Sequence, residues 1–318
     1  MEIRNKVVVV TGGAGFIGSH LADRLILEKP EKIIVASNFF LGKLDNLKEA
    51  KSKFENLEVC NIDITDYKEF KRLIEKNSTD IIFNLAVIPL PTSLEKPEWT
   101  FEQNLKMSLN VCELFRLGLF KKLVQFSSSE AYGSAVCVPM DEKHPLNPST
   151  PYAASKAATD HLALSYNKTF GLDICVVRPF NNYGPRQNAG KYAGLIPLTV
   201  TRILNNEDLI IQGTGSQTRD FIYVTDTADA AVNLCKCGNA VGKIVNVASG
   251  KELTINYIVN MIKSLMEYKK AIIYKEARIG DVQRHFADIK LAKELIDFEP
   301  KVSFEEGIRK TVEWYKKI

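Results

Sequence analysis

KVVVVTGGAGFIGSH, residues 6–20, sets an apolar run directly before three glycines spaced three apart, Gly12, Gly15 and Gly18. Four consecutive valines read as a strand buried on both faces. A glycine-rich turn followed by a helix then makes a dinucleotide site. Gly12 permits the tight turn, Gly15 lets the backbone approach a pyrophosphate, and Gly18 allows close helix packing. Phe16 and Ile17 open that helix beside Gly18, and their free N–H groups face the phosphates.

Working outward, β-branched runs alternate with helical patterns through the first 180 residues: KIIVAS, LEVCNI, a helix near 67–76, DIIFNLA, a helix near 99–117, KLVQFSS, a helix near 151–169, and DICVVRP. This rhythm predicts βαβ crossovers, hence an α/β fold with a doubly wound parallel sheet of Rossmann type. After residue 180 the chain turns richer in Gly, Pro and Asn and ends in the amphipathic FEEGIRKTVEWYKK. We expect a dinucleotide-binding domain over 1–180 with returning segments near 215–250, such as KIVNVAS, and a smaller C-terminal substrate-binding lobe over 181–318.

Composition excludes several classes. With 45% hydrophobic and 25% charged residues, the chain is neither disordered nor fibrous. A formal net charge of +4, scattered among acids, gives no reason to expect nucleic acid as a partner. Apolar runs stop at strand length, short of a membrane span, and MEIRNK is no signal peptide, so a cytoplasmic protein is expected. The six cysteines sit apart in mostly apolar patterns, as reduced thiols do; Cys235 and Cys237 lack a second ligand pair, and no metal site is expected.

The second strand ends at Ser37, nineteen residues past Gly18, where an acid usually binds the adenosine ribose of NAD. Without that carboxylate NADP is possible, and Lys43 is near enough in sequence to attract its phosphate. Alternatively Ser37 and Asn38 bond the ribose hydroxyls neutrally and NAD is used, which is the expectation adopted. Asp63 and Ile64 are placed to flank the adenine, although Asp63 would serve equally as a helix cap. Leu85 and Ala86, after DIIFN, are expected along the cofactor.

Tyr152 and Lys156 in PYAASKAATDH share one face of a helix. Bringing a phenol from about 10 to about 7 requires roughly 4 kcal/mol of differential stabilisation. A neighbouring ammonium and an oxidised nicotinamide have the right sign of charge. Ser127, Ser128, Ser129 and Glu130 follow the strand KKLVQF at the edge where doubly wound sheets bind ligands. A serine there bonds a substrate hydroxyl while Tyr152 removes its proton.

These motifs, with NLAVIPLPTSLEKP, RPFNNYGPRQ, GTGSQTRDFIYVTD and ARIGDVQRHFAD, resemble the extended short-chain dehydrogenase/reductase superfamily from end to end. The closest likeness is to its nucleotide-sugar epimerases, dehydratases and decarboxylases. The resemblance implies a nucleoside-diphosphate sugar as substrate, transient oxidation at C4, Ser128 as hydroxyl partner, Tyr152 as base and Lys156 as its modulator and ribose contact, so that Tyr152 and Lys156 also bind the cofactor. It further implies Ser93, Ser128, Ser129, Asn181, Arg219, Arg278 and Asp281 at the substrate. A homodimer formed through the helices near 99–117 and 151–169 is also implied.

Glu130 discriminates among reactions. It matches the glutamate of 4,6-dehydratases and uronic-acid decarboxylases, and hexose 4,6-dehydration is the expectation; 4-epimerisation is the alternative, then uronic-acid decarboxylation. Ser129 departs from the glucose-dehydratase pattern, where an aspartic acid protonates the leaving hydroxyl; the resemblance to the GDP-mannose dehydratases, which also carry serine there, keeps dehydration open with Glu130 as base and acid. Ile88, Pro89 and Leu90 make an apolar loop that either meets a deoxy or acylated sugar or packs beneath the cofactor. A non-catalytic cofactor-binding sensor would be expected to lack one of Ser128, Tyr152 and Lys156.

Overall fold

A computed structural model describes residues 1–190, 192–277 and 282–317. The first half alternates β1 (Val7–Thr11), α1 (Phe16–Ile26), β2 (Lys32–Ser37), α2 (Lys48–Lys53), β3 (Leu57–Asn61), α3 (Tyr67–Lys76) and β4 (Ile81–Asn84). It continues with α4 (Leu90–Glu95), α5 (Pro97–Arg116), β5 (Lys122–Phe126), α6 (Pro151–Phe170) and β6 (Ile174–Pro179). Then come β7 (Asn181–Tyr183), α7 (Leu195–Leu204), β8 (Leu209–Gln212), β9 (Thr218–Arg219), β10 (Phe221–Tyr223) and α8 (Val224–Lys236). The chain ends with β11 (Ile244–Val247), β12 (Leu253–Thr254), α9 (Ile255–Leu265), β13 (Ile272–Lys275), α10 (Lys290–Ile296) and α11 (Phe304–Tyr315).

Seven strands form one parallel sheet in the order β11-β6-β5-β4-β1-β2-β3. The chain runs outward from β1 to β3, crosses back, and runs outward again from β4. A crevice therefore opens at the carboxyl ends of β1 and β4. This is the doubly wound α/β arrangement that the alternation implies, and KIVNVAS does return to it as β11.

The valines of β1 show why both faces must be covered. Val8 and Val10 pack with Leu21 and Leu25 of α1 and Ala231 and Leu234 of α8, whereas Val7 and Val9 pack with Phe70, Val111 and Ala163 of α3, α5 and α6. Alternate side chains point to opposite faces, so a strand apolar at every position needs helices on both. Three two-stranded sheets, β10-β7, β12-β9 and β13-β8, carry the remainder. Tyr183, Val200, Ile211, Ile258 and Ile308 form a separate core there.

One segment differs from its sequence reading. The apolar stretch after β4, read as a loop, enters α4 at Leu90, because Pro91 falls in the first turn, where a missing N–H costs nothing. Among the described residues no helix is long and apolar enough to cross a membrane, and no group of His, Cys, Asp and Glu could hold a metal ion.

Candidate active site

A cleft of about 680 Å³ follows the carboxyl edge of the sheet between β1 and β4 and extends to the smaller sheets. Gly12, with φ at 66°, turns the chain out of β1, and a Cβ there would meet Ala86 at 3.0 Å. A Cβ at Gly18 would lie 2.5 Å from the Gly12 carbonyl, so only glycine lets α1 start this close to the turn. The helix begins at Gly15 with no side-chain cap. Gly15, Phe16, Ile17 and Gly18 all line the cleft. This is a backbone cradle that side chains would fill, which fits a dinucleotide pyrophosphate.

Beneath it a polar row crosses the sheet. Thr11 Oγ1 donates to Asn84 Oδ1 at 2.6 Å and accepts from the amides of Leu85 and Ala86 at 3.1 Å. Asn84 in turn donates to Gln125 at 2.8 Å. Leu85 and Ala86 are thereby fixed along the cleft wall.

At the end of β2, Ser37 Oγ accepts from the Phe39 amide at 3.2 Å, and Asn38 donates to Asp63 at 3.1 Å. Burial pushes the Asp63 carboxyl up, but hydrogen bonds from Thr65 and Asn38 outweigh it and hold the group below its ordinary value. Asp63 and Ile64 line the cleft with Ser37 and Asn38; Lys43 is exposed and does not.

The chemistry-bearing face is built by α6 and the turn after β5. Thr150 caps α6 by accepting from the Ala153 amide at 3.2 Å, and Pro151 occupies its first turn. Tyr152 and Lys156 then face the cleft one turn apart. After β5 the residues alternate: Ser127 is 5% and Ser129 3% exposed, whereas Ser128 and Glu130 are half-buried. Ser128 Oγ accepts from the Glu130 amide at 3.2 Å and lines the cleft with the Tyr152 phenol. Because one lone pair takes the amide proton, the hydroxyl keeps its own proton to donate.

Burial pushes Tyr152 up to about 12; the Ser128 bond opposes this, and the Glu130 and Asp160 charges add to it. Burial likewise lowers Lys156 to about 8 against the upward pull of Asp160. The lowering expected for the phenol is therefore reversed in the chain alone. Removing its negative form from water outweighs the hydrogen bond that favours it.

The remaining expected residues divide. Asn181 and Arg219 line the cleft; Arg219 Nη1 donates to the carbonyls of Thr218 at 2.8 Å and Val282 at 2.5 Å. Ser93 is buried inside α4 with its Oγ donating to Leu90 O at 2.7 Å, and neither it nor the Ser129 side chain lines the cleft. The Ser129 carbonyl instead lies 3.1 Å from His285 Nε2. Arg278 and Asp281 lie outside the described residues. Ile88, Pro89, Leu90 and Pro91 all line the cleft, and Ile88 is at the same time buried, so the apolar stretch both packs inward and presents a wall.

Three features escaped the sequence reading. Asn104 of α5 accepts from the Ile88 amide at 2.7 Å and donates to the Ile88 carbonyl at 3.2 Å and to Ser155 at 2.9 Å, clamping that wall to α6. Arg186 bonds Asp23 at 2.6 Å and Glu49 at 3.2 Å, tying the segment after β7 to α1 and α2. Arg178 and Asp160 form an ion pair at 2.7 Å, each 1% exposed. An arginine inside the apolar run ICVVRP was the available signal for the last.

Comparison with known proteins agrees with this geometry. A family model described as GDP-mannose 4,6 dehydratase matches residues 9–311. A Methanocaldococcus jannaschii protein provisionally named a UDP-glucose 4-epimerase is 35% identical over 98% of both chains. The structure of Thermotoga maritima UDP-glucose 4-epimerase with UDP-glucose superposes with a TM-score of 0.91 at 33% identity, covering 98% of this chain and 99% of that one. A dTDP-glucose 4,6-dehydratase from Streptomyces venezuelae, solved with NAD bound, gives 0.92 at 29% identity, covering 98% and 97%.

Proposed function

Because the chain belongs to the NAD-dependent nucleotide-sugar epimerase, dehydratase and decarboxylase family of extended short-chain dehydrogenases/reductases, we propose that it is a 4-epimerase of a nucleoside-diphosphate hexose. One observation carries this reading over dehydration: relatives named as UDP-glucose 4-epimerases match 98% of this chain. Of the two positions after Ser128 that a glucose dehydratase fills with acids, only Glu130 lines the cleft; position 129 is a buried serine, which speaks against a glucose-type dehydratase but not against one of GDP-mannose type, which also carries serine there. The sequence expectation of dehydration becomes the second reading.

In this reading Tyr152 acts as the phenolate, stabilised by the Ser128 hydroxyl and by the positive charge that Lys156 holds one helical turn away; it takes the proton of the C4 hydroxyl, becomes the neutral phenol, and gives the proton back when the hydride returns. NAD, once held there, would supply the hydride acceptor and donor for C4 and, in its oxidised form, positive charge that favours the phenolate. Burial of Tyr152 makes its phenolate a strong base once formed, because the same desolvation that resists ionisation favours recapture of the proton. Gly12, Gly15 and Gly18 with the start of α1 would hold the pyrophosphate, and Ser37, Asn38 and Asp63 the adenosine end. Asp63, kept ionised by Thr65 and Asn38, would repel a 2′-phosphate and so supports NAD over NADP.

Asn181 and Arg219 are assigned to the nucleoside diphosphate, for which a planar cation suits paired oxygens. Dehydration keeps one specific observation in its favour, the presence of Glu130 in the cleft. Incubation with UDP-, dTDP-, GDP- and CDP-hexoses, read by mass spectrometry, separates the reactions. Unchanged mass with altered retention supports epimerisation, loss of water dehydration, and loss of carbon dioxide from a uronic acid decarboxylation.

A further inference from the structure

Behind the cleft lies an ion pair that the chemistry above does not use. Asp160 is one turn beyond Lys156 on α6, and Arg178 reaches it from β6. Asp160 Oδ2 accepts from Arg178 Nη2 at 2.7 Å and from Ser127 Oγ at 2.5 Å; Arg178 Nε also donates to Ser127 Oγ at 3.3 Å. The guanidinium lies 4.3 Å over the Tyr132 ring, whose hydroxyl donates to Asn246 at 2.9 Å. Asp160 Oδ1 and Arg178 Nη1 have no hydrogen-bond partner.

Stability alone is a poor reason for such an arrangement, since apolar replacements of buried pairs are often neutral or stabilising. Its position suggests another. Among the described residues no ion pair joins Lys156 to a carboxylate; its ammonium donates to the Phe126 carbonyl at 2.5 Å. The charged and titratable groups around Lys156 are Tyr152 and Asp160 on its own helix, Glu130 from the turn after β5, and Arg178 from β6. On the other side of α6, α5 offers the neutral Asn104 to Ser155, and its Glu113 is engaged with Arg116 and Tyr166. Asp160, one turn from Lys156, is the carboxylate whose charge favours the ammonium, and its Oδ2 is engaged by Arg178 and Ser127.

We propose that Asp160 and Arg178 are positioning residues: the carboxylate keeps Lys156 protonated from one helical turn away, and the guanidinium holds the carboxylate there so that the ammonium's field falls on Tyr152. The proposal rests on the reading of Tyr152 and Lys156 as the acid–base pair.

The test is a titration of the NAD-loaded protein labelled with 13C at lysine Cε, the Lys156 resonance being assigned by its loss in Lys156→Arg. Asp160→Asn is expected to lower the Lys156 midpoint by one pH unit or more, and to move the alkaline limb of kcat with it while KM for the sugar nucleotide stays within about twofold. Should that variant misfold, Asp160→Asn/Arg178→Met leaves no unpaired buried charge and is expected to lower the midpoint as well. A Lys156 midpoint unchanged in the folded variant, or a kcat reduced equally at every pH, overturns the proposal. If the midpoint moves but Tyr152→Phe retains full turnover, the acid–base reading fails while the effect on the lysine stands.

Discussion

Ser128 accepts the backbone amide proton of Glu130 at 3.2 Å and shares the cleft wall with Tyr152. The amide occupies one lone pair of the serine oxygen and leaves its hydroxyl proton to favour the ionised phenol. Ser128→Ala removes a bond to a group that becomes charged, about 1.5–3 kcal/mol, and is expected to lower kcat by roughly 10–150-fold. Tyr152→Phe removes the base itself and is expected to cost about 10²–10⁴-fold. Steady-state rates with unchanged NAD affinity, measured by calorimetry, check both.

Gly18 fails differently. A methyl group there meets the Gly12 carbonyl at 2.5 Å and the Gly13 Cα at 2.7 Å, so α1 must move away from the turn. Gly18→Ala is expected to weaken NAD binding at least tenfold and to lower Tm. Gly118→Ala, where nothing lies within 4 Å but φ is 75°, serves as a control: it carries the backbone strain alone and is expected to leave NAD affinity unchanged.

His285 is buried against Phe180, and its Nε2–H is placed to donate to the Ser129 carbonyl. Burial, aided by the Arg219 charge, lowers it from 6.5 to about 4. The unfolded chain therefore binds this proton at a higher pH than the folded one, and stability present above about 6.5 is lost as pH falls toward 4. Between pH 7 and pH 5 the loss from this group is roughly 2 kcal/mol. Urea midpoints at the two values should converge in His285→Gln; an undiminished gap, beyond what the similarly buried His20 supplies, would contradict the assignment.

Asn104 clamps both the amide and the carbonyl of Ile88. Asn104→Ala leaves two buried backbone groups unpaired, at about 1–3 kcal/mol each, and frees the apolar wall formed by Pro89, Leu90 and Pro91. A raised KM for the sugar nucleotide and a lowered Tm, with NAD affinity nearly unchanged, are the expected outcomes.

What the sequence made legible was local. Gly12, Gly15 and Gly18 carry their meaning in seven consecutive positions that run from the end of one strand into one helix, and Tyr152 with Lys156 needs only the pitch of a helix. Ser93 and Ser129 went differently because exposure depends on how α4 starts and on which way each residue turns after β5, neither of which spacing reveals. The Arg178 ion pair needed β6 placed beside β5 before a charge in an apolar strand could be matched with Asp160, eighteen residues earlier. Choosing between epimerisation and dehydration was harder still, since Glu130 lines the cleft as the dehydratase resemblance implies while Ser129 lies buried beside it, and spacing reveals neither placement.

That choice is tested most directly by following the hydrogen at C4. With deuterium at C4 of the nucleoside-diphosphate hexose that the substrate panel identifies, the expected product is a C4 epimer of unchanged mass with the deuterium still on C4. A product lacking one water, with the label in a C6 methyl group, would contradict it.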